Sequence, residues 1–520
     1  MGAHYMAPEQ ARSGRGAGRA ARHKQRQTAG AIPHPCPPGQ QGGAYQPLTQ
    51  QEIITITDNA FRLLENLGMG EVPDYLEEAA LALGGHLNSD GRLCFKRALV
   101  EEIIEGTPKE FTLHGRDPKH DLHVGGRRVY YGTAGAAVQT LDIETELYRA
   151  STVEDCYNFA KLGDKLENLA WFSRTCVGTD IEDIIEADIN QAYALTSGTS
   201  KHIGTSFNVA ESVAPCMELF DIVAGGPGKF AEKPFCKCHL TSILSPMRYG
   251  EDAVAIAREI VKYNMPINAI VAAQAGATAP APLAGMLVQT TAEALAALMM
   301  INSFSRGHQV IFSNWPFVVD LRTGSFTGSG GEISVLNAGA AQIANHLGLV
   351  GGVATSMADA KAVDAQMGAE KTLSAAAAGL AGANMVYESA GMMASLLGVS
   401  FEAMTLDNEM LANIQRTIRG FEVNDDTLGY DAIVKHVMNE GHFLGGEQTM
   451  GAMLRDYYYP KLANRDNPTI WAESGAPDAW GTAKIKVKEI LSAPREDYVS
   501  AEADAAIRER FNIYLSPEVM

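Results

Sequence analysis

Apolar positions recur at helical spacing from Thr49 to Gly106, with Ile53, Ile56, Ala60, Leu63, Leu64 and Leu67 on one stripe, which predicts a preface of amphipathic helices. Val129 to Leu141 then reads as short strands broken by glycine turns. From there apolar runs of strand length alternate with longer helical stretches. Strands are expected at 169–177, 202–207, 235–244, 267–272, 309–313, 350–355 and 384–387, and helices at 181–195, 212–223, 251–263, 283–305, 333–346 and 369–380. Repeated strand–helix units imply a parallel sheet in an α/β protein. These seven strands, with 399–403 or the region of Val129 as an eighth, suit a closed (β/α)8 TIM barrel. An open doubly wound sheet should carry a glycine-rich dinucleotide turn early, and none follows the first strands. Beyond Asp407 the pattern is helical through Lys435, Gly441 to Thr449 interrupts it, and a C-terminal lobe carrying Trp471 and Trp480 follows. The expected organisation is a disordered basic tail at 1–45, an N-terminal helical segment at 46–128, the barrel at 129–410 and a C-terminal helical lobe at 411–520.

Composition narrows the class. A chain of 520 residues with 46% hydrophobic side chains buries a large core. Its net charge is −19, although Arg12, Arg15, Arg19, Arg22, Lys24 and Arg26 face only Glu9 in the tail, so the remainder is more acidic still and repels nucleic acid. Seven cysteines without regular spacing, no signal peptide and no apolar run near the roughly 20 residues of a membrane span point to a reduced, soluble, cytoplasmic protein.

In a barrel of this kind the chemistry lies at the C-terminal ends of the strands. The run from Val350 to Glu370 passes from strand into charged groups, so Asp359, Lys361, Asp364 and Gln366 are expected at the mouth, and Asn384-Met-Val-Tyr-Glu388 adds Tyr387 and Glu388. Phe207, Trp315, Phe317 and Tyr387 follow strands too, and rings sharing one cavity make a cage for a methylated ammonium, each contact worth roughly 0.5–2 kcal/mol. Cys236-Lys-Cys-His239 lies on a strand, where Cys236 and Cys238 share a face and could both point inward as zinc thiolates. Gly324-Ser-Phe-Thr-Gly-Ser-Gly-Gly331 serves equally as an anion nest or a mobile loop. Asp121-Leu-His-Val-Gly-Gly126 has the spacing of a cobalt-ligating histidine motif, but that motif needs a strand-to-helix turn and here glycine-broken strand sequence follows.

Gln274-Ala-Gly-Ala-Thr-Ala-Pro-Ala-Pro-Leu-Ala-Gly285, the segment from Asp359 to Glu370, Ala381-Gly-Ala-Asn384 and Gly441-His-Phe-Leu-Gly445 together resemble the trimethylamine methyltransferase (MttB) superfamily over about 45–490. The resemblance implies a TIM barrel that moves a methyl group from a methylated amine to the Co(I) corrinoid (cobalamin) of a separate carrier protein. The founding enzymes hold pyrrolysine at or near the position of Lys361, where this chain has ordinary lysine, so it is similar to the non-pyrrolysine branch that demethylates quaternary amines such as glycine betaine. Catalytic roles are therefore expected for Lys361, Asp359 and Glu388, with Lys361 pairing a betaine carboxylate. Substrate contacts are expected from Phe207, Gln274, Trp315, Phe317, Gln366 and Tyr387, with no resident metal and a homo-oligomeric state. The alternatives are a zinc-thiolate methyltransferase using Cys236, Cys238 and His239, or a quaternary-amine-binding protein without turnover.

Overall fold

A computed structural model describes residues 34–517. The basic side chains from Arg12 to Arg26 lie outside the described residues. The expected tail ends earlier than residue 45, because Gln40–Gln41 pairs antiparallel with Arg128 and Val129.

Eight parallel strands form the centre of a nine-stranded sheet: β1 (Arg128–Tyr131), β2 (Phe172–Ser173), β3 (Ile203–Thr205), β4 (Cys236–Leu240), β5 (Ile267–Val271), β6 (Val310–Asn314), β7 (Gly351–Ala354) and β8 (Met385–Tyr387). All seven expected strands are present, six of them shortened and the one expected at 309–313 shifted by one residue. The eighth is the Val129 region. The stretch at 399–403 instead contributes Gly398–Ser400 to a small four-stranded sheet with Gln139–Leu141. Strand order runs β1-β8-β7-β6-β5-β4-β3-β2, and the sheet curls so that β1 meets a neighbour at each edge. Gly132 bridges Trp171 in parallel, and the Ala170 N–H donates to the Tyr131 carbonyl at 2.7 Å.

Helices α1 (Val153–Asp164), α2 (Ile184–Gly198), α3 (Val213–Ala224), α4 (Glu251–Ile260), α5 (Leu283–Phe304), α6 (Gly331–His346), α7 (Ala365–Ala381) and α8 (Phe401–Arg419) follow the strands. Local chemistry sets their ends: Asp183 and Asp364 accept the first N–H groups of α2 and α7, and Gly382 closes α7 with φ +87°. The expectation of no membrane-length apolar run needs correction. Among the described residues α5 is long and apolar enough, with 78% of its window buried inside the fold, where it packs on the helix Gln50–Asn66. A small sheet of Gln274–Ala275, Phe317–Val319 and Phe326–Thr327 continues beyond the ends of β5 and β6, since the N–H groups of Trp315 and Phe317 donate to the carbonyls of Val271 and Ala273.

Phe421–Tyr459, with residues 34–35, is a separate compact unit, while the rest of the lobe belongs with the sheet. Its helices Tyr430–Met438 and Glu447–Arg455 contain no buried residue, and the Gly441–Gly445 motif lies between them. Half of the exposed large apolar side chains among the described residues fall here, Phe421, Tyr430, Met438 and Leu444 among them.

Three glycines leave room for large neighbours inside the sheet. A Cβ on Gly132 would sit 2.1 Å from Trp171 Cε2, one on Gly204 2.3 Å from Ser173 Oγ, and one on Gly352 2.0 Å from Ser313 Oγ. Gly132→Ala is expected to lower stability by about 1–3 kcal/mol through overpacking at the seam, measured by urea unfolding; an unchanged midpoint would show that Trp171 is not held against the strand.

Candidate active site

Alternation along β4 decides what the sheet interior holds. Lys237 and His239 face inward: the Lys237 ammonium lies 5.0 Å from the Trp171 ring and 5.7 Å from the Tyr387 ring, and His239 Nε2 is 3.0 Å from Ser173 Oγ. Cys236 and Cys238 therefore occupy the opposite face, which corrects the expectation that they point inward. The split also separates both thiols from His239, and no group of three or more His, Cys, Asp or Glu that could hold a metal occurs among the described residues. Burial pushes both thiols above their ordinary range.

The interior is unusually polar for a parallel sheet covered by helices, which normally buries branched aliphatics. Asn268 accepts from the Ser313 hydroxyl, while its Nδ2, Lys237 Nζ, Tyr387 Oη and Trp315 Nε1 have no hydrogen-bond partner in the protein. Buried polar atoms are rarely left so, and a cluster of them marks a place for water or a ligand. Burial pulls the Lys237 ammonium down to about 7 and, with Lys237 nearby, His239 well below its usual value.

Tyr387 is the hub. Its ring centroid lies 5.2 Å from those of Trp171, His239 and Trp315. The next residue, Glu388, takes φ +59°, a conformation that an unbranched acid adopts only when its surroundings impose it. Glu388 is 3% exposed, its Oε2 has no partner, and burial pushes its carboxyl up to about 8 against the opposing charges of Lys371 and Arg174. Lys371 is itself fixed by Asp407 at 2.9 Å and the Ser356 carbonyl at 2.8 Å, and Asp407 also accepts the Gly391 N–H at 2.8 Å.

The remaining expected residues divide between the site and its surroundings. Trp315 and Phe317 are buried with ring centroids 6.5 Å apart, and Phe317 meets Phe326 of the glycine-rich loop at 5.1 Å. Phe207 is buried after β3. Gln274 is half-buried at a turn where its N–H donates to Thr278 Oγ1. Asp359 is a loop anchor, accepting from the Gly328 N–H at 2.8 Å and the Ser395 hydroxyl at 2.7 Å. Lys361 is exposed, and its ammonium donates to the Asp359 carbonyl at 2.7 Å. Gln366 is exposed on α7 and donates to Glu370, and Asp364 caps that helix. Lys237, Trp171, Arg174 and the Lys371–Asp407 pair were not anticipated, and His239 was expected only as a zinc ligand beside the two thiols; the signal for Lys237 and Arg174 is a charge inside an apolar strand pattern.

The two shifted groups act on stability in opposite directions. The unfolded chain loses the Glu388 proton near 4.5 and the folded protein near 8, so this contribution is complete below 4.5 and lost as pH rises through about 8. Lys237 contributes fully above 10.5, and that stability is lost as pH falls through about 7. Glu388→Gln is expected to gain on the wild type by on the order of a few kcal/mol between pH 5 and pH 9, and Lys237→Met to gain most at pH 6 and little at pH 10. Chemical denaturation across this range checks both trends, and parallel profiles for wild type and variants would contradict them.

Comparison with known proteins adds the family. The sequence profile described as trimethylamine methyltransferase (MTTB) matches residues 12–515. The chain is 31% identical over 479 residues to trimethylamine methyltransferase MttB of Desulfitobacterium hafniense (strain DSM 10664 / DCB-2), which covers 90% of this chain and 94% of that protein. It is 27% identical over 480 residues to the glycine betaine methyltransferase of Desulfitobacterium hafniense (strain Y51), covering 91% and 97%. With trimethylamine methyltransferase MttB of Methanosarcina thermophila the identity is 29% over 397 residues, covering 76% and 81%. Relatives named for different methyl donors match along nearly the same length, so likeness fixes the reaction class more firmly than the donor, and the chain belongs to the trimethylamine methyltransferase (MTTB) family of methyltransferases.

Proposed function

We propose that this chain takes a methyl group from a quaternary amine of the glycine betaine kind and delivers it to the Co(I) corrinoid of a separate carrier protein, working at the C-terminal face of a closed (β/α)8 barrel. The contact of β1 with both β8 and the Trp171 edge of β2 supports closure. One observation carries the functional reading: Glu388, a buried carboxyl with an oxygen lacking any partner, follows directly on the Tyr387–Trp315 ring pair. A carboxylate beside aromatic faces is the environment that holds a methylated ammonium.

A quaternary ammonium leaves as a neutral amine when its methyl carbon is attacked, so no general acid is needed at that step. The corrinoid supplies the nucleophile. It is read as the carrier's own, because His123, the only histidine here with the spacing of a cobalt ligand, sits in an antiparallel hairpin with Thr112 Oγ1 2.9 Å from its Nδ1. The chain's task is then to orient the N–CH3 bond and exclude water, which is catalysis by positioning. Trp315, Phe317 and Phe207 form apolar walls, and Glu388 balances the arriving cation. Since the Glu388 carboxyl ionises near 8, binding of the cation releases its proton, and loss of the cation on transfer takes a proton back. Too strong a grip would oppose transfer, because the positive charge fades in the transition state.

All seven cysteines lack disulfides, which supports a reducing, cytoplasmic setting. The exposed apolar side chains of Phe421–Tyr459 support self-association. Light scattering of the full chain is expected to give a multiple of the monomer mass, and Met438→Glu with Leu444→Glu to reduce it.

Anaerobic mixing with cob(I)alamin, or with a cognate corrinoid protein, and glycine betaine, proline betaine, carnitine, choline or trimethylamine is expected to yield methylcobalamin with a quaternary donor. Glycine betaine should bind more tightly as pH rises through about 8, and Glu388→Gln should weaken binding roughly tenfold at pH 8.5 and little at pH 6.5. Binding with no methyl transfer to either acceptor would favour a binding protein without turnover. Silence of the whole panel in both assays would sink the methyl-transfer reading.

A further inference from the structure

Phe421–Tyr459 is acidic as well as apolar. It carries seven acids against Lys435 and Arg455, a net charge of −5, and every acid except Asp456 is exposed. Among the described residues its ion pairs are His436–Glu440 and Arg455–Asp456, so Asp425, Asp426, Asp431 and Glu447 stand outside any pair. Like charges at this density repel one another and repel a second copy of the same surface. The opposite charge lies near the start of the sequence. Residues 1–33 carry Arg12, Arg15, Arg19, Arg22, Lys24 and Arg26 against Glu9, a net charge of +5. They lead into His34, whose ring centroid lies 6.2 Å from that of Tyr458 in this same unit. Lys24 stands ten residues before that contact, a reach of roughly 35 Å when extended. A helix of nine residues is only about 14 Å long, so both helices of the unit fall within that reach. A tether this short holds the basic segment at an effective concentration on the order of millimolar.

We propose that residues 12–26 dock on the acidic surface of Phe421–Tyr459 in the same chain, with arginines meeting Asp425, Asp426, Asp431 and Glu447. Guanidinium forks match the two oxygens of a carboxylate, and the charges of the two segments cancel. The docked segment covers acids and leaves the apolar side chains open, because its only apolar residues are alanines. Docking therefore removes the repulsion between two copies without occupying the surface through which they would meet. This consequence rests on the self-association reading above; the docking itself does not.

Zero-length carbodiimide coupling of the full chain, read by mass spectrometry, tests the docking directly, because Lys24 is the only lysine before Lys96. At low salt its amine should couple to acids between Glu422 and Asp456 more than to all other acids together. Raising the salt to about 0.5 M should reduce that product at least about fivefold, since exposed pairs are screened. Asp425→Asn with Asp426→Asn, Asp431→Asn and Glu447→Gln, all at exposed positions, should cut the link several-fold at low salt. An equal mixture of isotope-labelled and unlabelled chain assigns each product, those of a single isotope coming from one chain. Links chiefly to acids elsewhere, links of mixed isotope, or no link at all overturn docking within the chain. Light scattering tests the consequence. Arg15→Gln with Arg19→Gln, Arg22→Gln and Arg26→Gln should weaken self-association about tenfold at low salt and little at high salt. Tighter association of that variant would overturn the neutralising role, since the segment would then compete with the second copy. A wild type that stays monomeric throughout removes the self-association reading, and the cross-links still decide the docking.

Discussion

Three rings and one ammonium crowd the Tyr387 phenol, and the geometry of the site follows from that crowding. Tyr387 can fill the sheet interior only because Gly352 stands beside it, and Trp171 can reach it only because Gly132 does the same at the seam. With the ring fixed, the backbone must leave β8 at Glu388 in a left-handed conformation, which turns that carboxyl into the fold. The Lys371–Asp407 pair then holds the surrounding chain, gripping the carbonyl of Ser356 after β7 and the N–H of Gly391 after β8. Removing either partner would strand a buried charge, so the pair serves to define the position of these two loops more than to add net stability.

The parallel strands and their helices were legible because strands buried on both faces read as short apolar runs and the helices between them as longer ones. The inner face of each strand was not legible, for the same reason. In a strand with both sides covered, alternation no longer separates apolar from polar, and Cys236-Lys-Cys-His239 offered two faces of comparable plausibility. Chemistry that suits an interior thiolate pair pointed to one face, while the space beside Gly204 and the rings of Trp171 and Tyr387 admit Lys237 and His239 on the other. The run from Asp359 to Gln366 misleads in another way. Charged residues after a strand mark the mouth of a barrel, but they also mark the cap of the next helix, and Asp364 and Gln366 are largely occupied with α7. Arg174 was hidden inside an expected strand that the structure shortens to two residues, which leaves it immediately after the strand's end.

The aromatic residues show how far a cage can be read from sequence. Of the four rings expected to share one cavity, Trp315 lies 5.2 Å from Tyr387 and 6.5 Å from Phe317 between ring centroids, and Phe207 is buried after β3. What sequence could not supply is occupancy. One face of Tyr387 already carries the protein's own cation, Lys237, which has no hydrogen bond and is restrained by burial from keeping its proton at neutral pH. In the proposed reaction the external ammonium is therefore assigned to Trp315, its neighbours and Glu388.

Burial drives Glu388 and Lys237 in the same electrical direction, each toward its uncharged form near neutrality. Such an interior is poorly suited to a permanent ion pair and well suited to a charge that comes and goes. In the proposed reaction the donor arrives positive and departs neutral. A carboxylate that was ionised throughout would oppose the second state as firmly as it favours the first. A carboxyl that ionises only when a cation arrives follows the charge of its ligand.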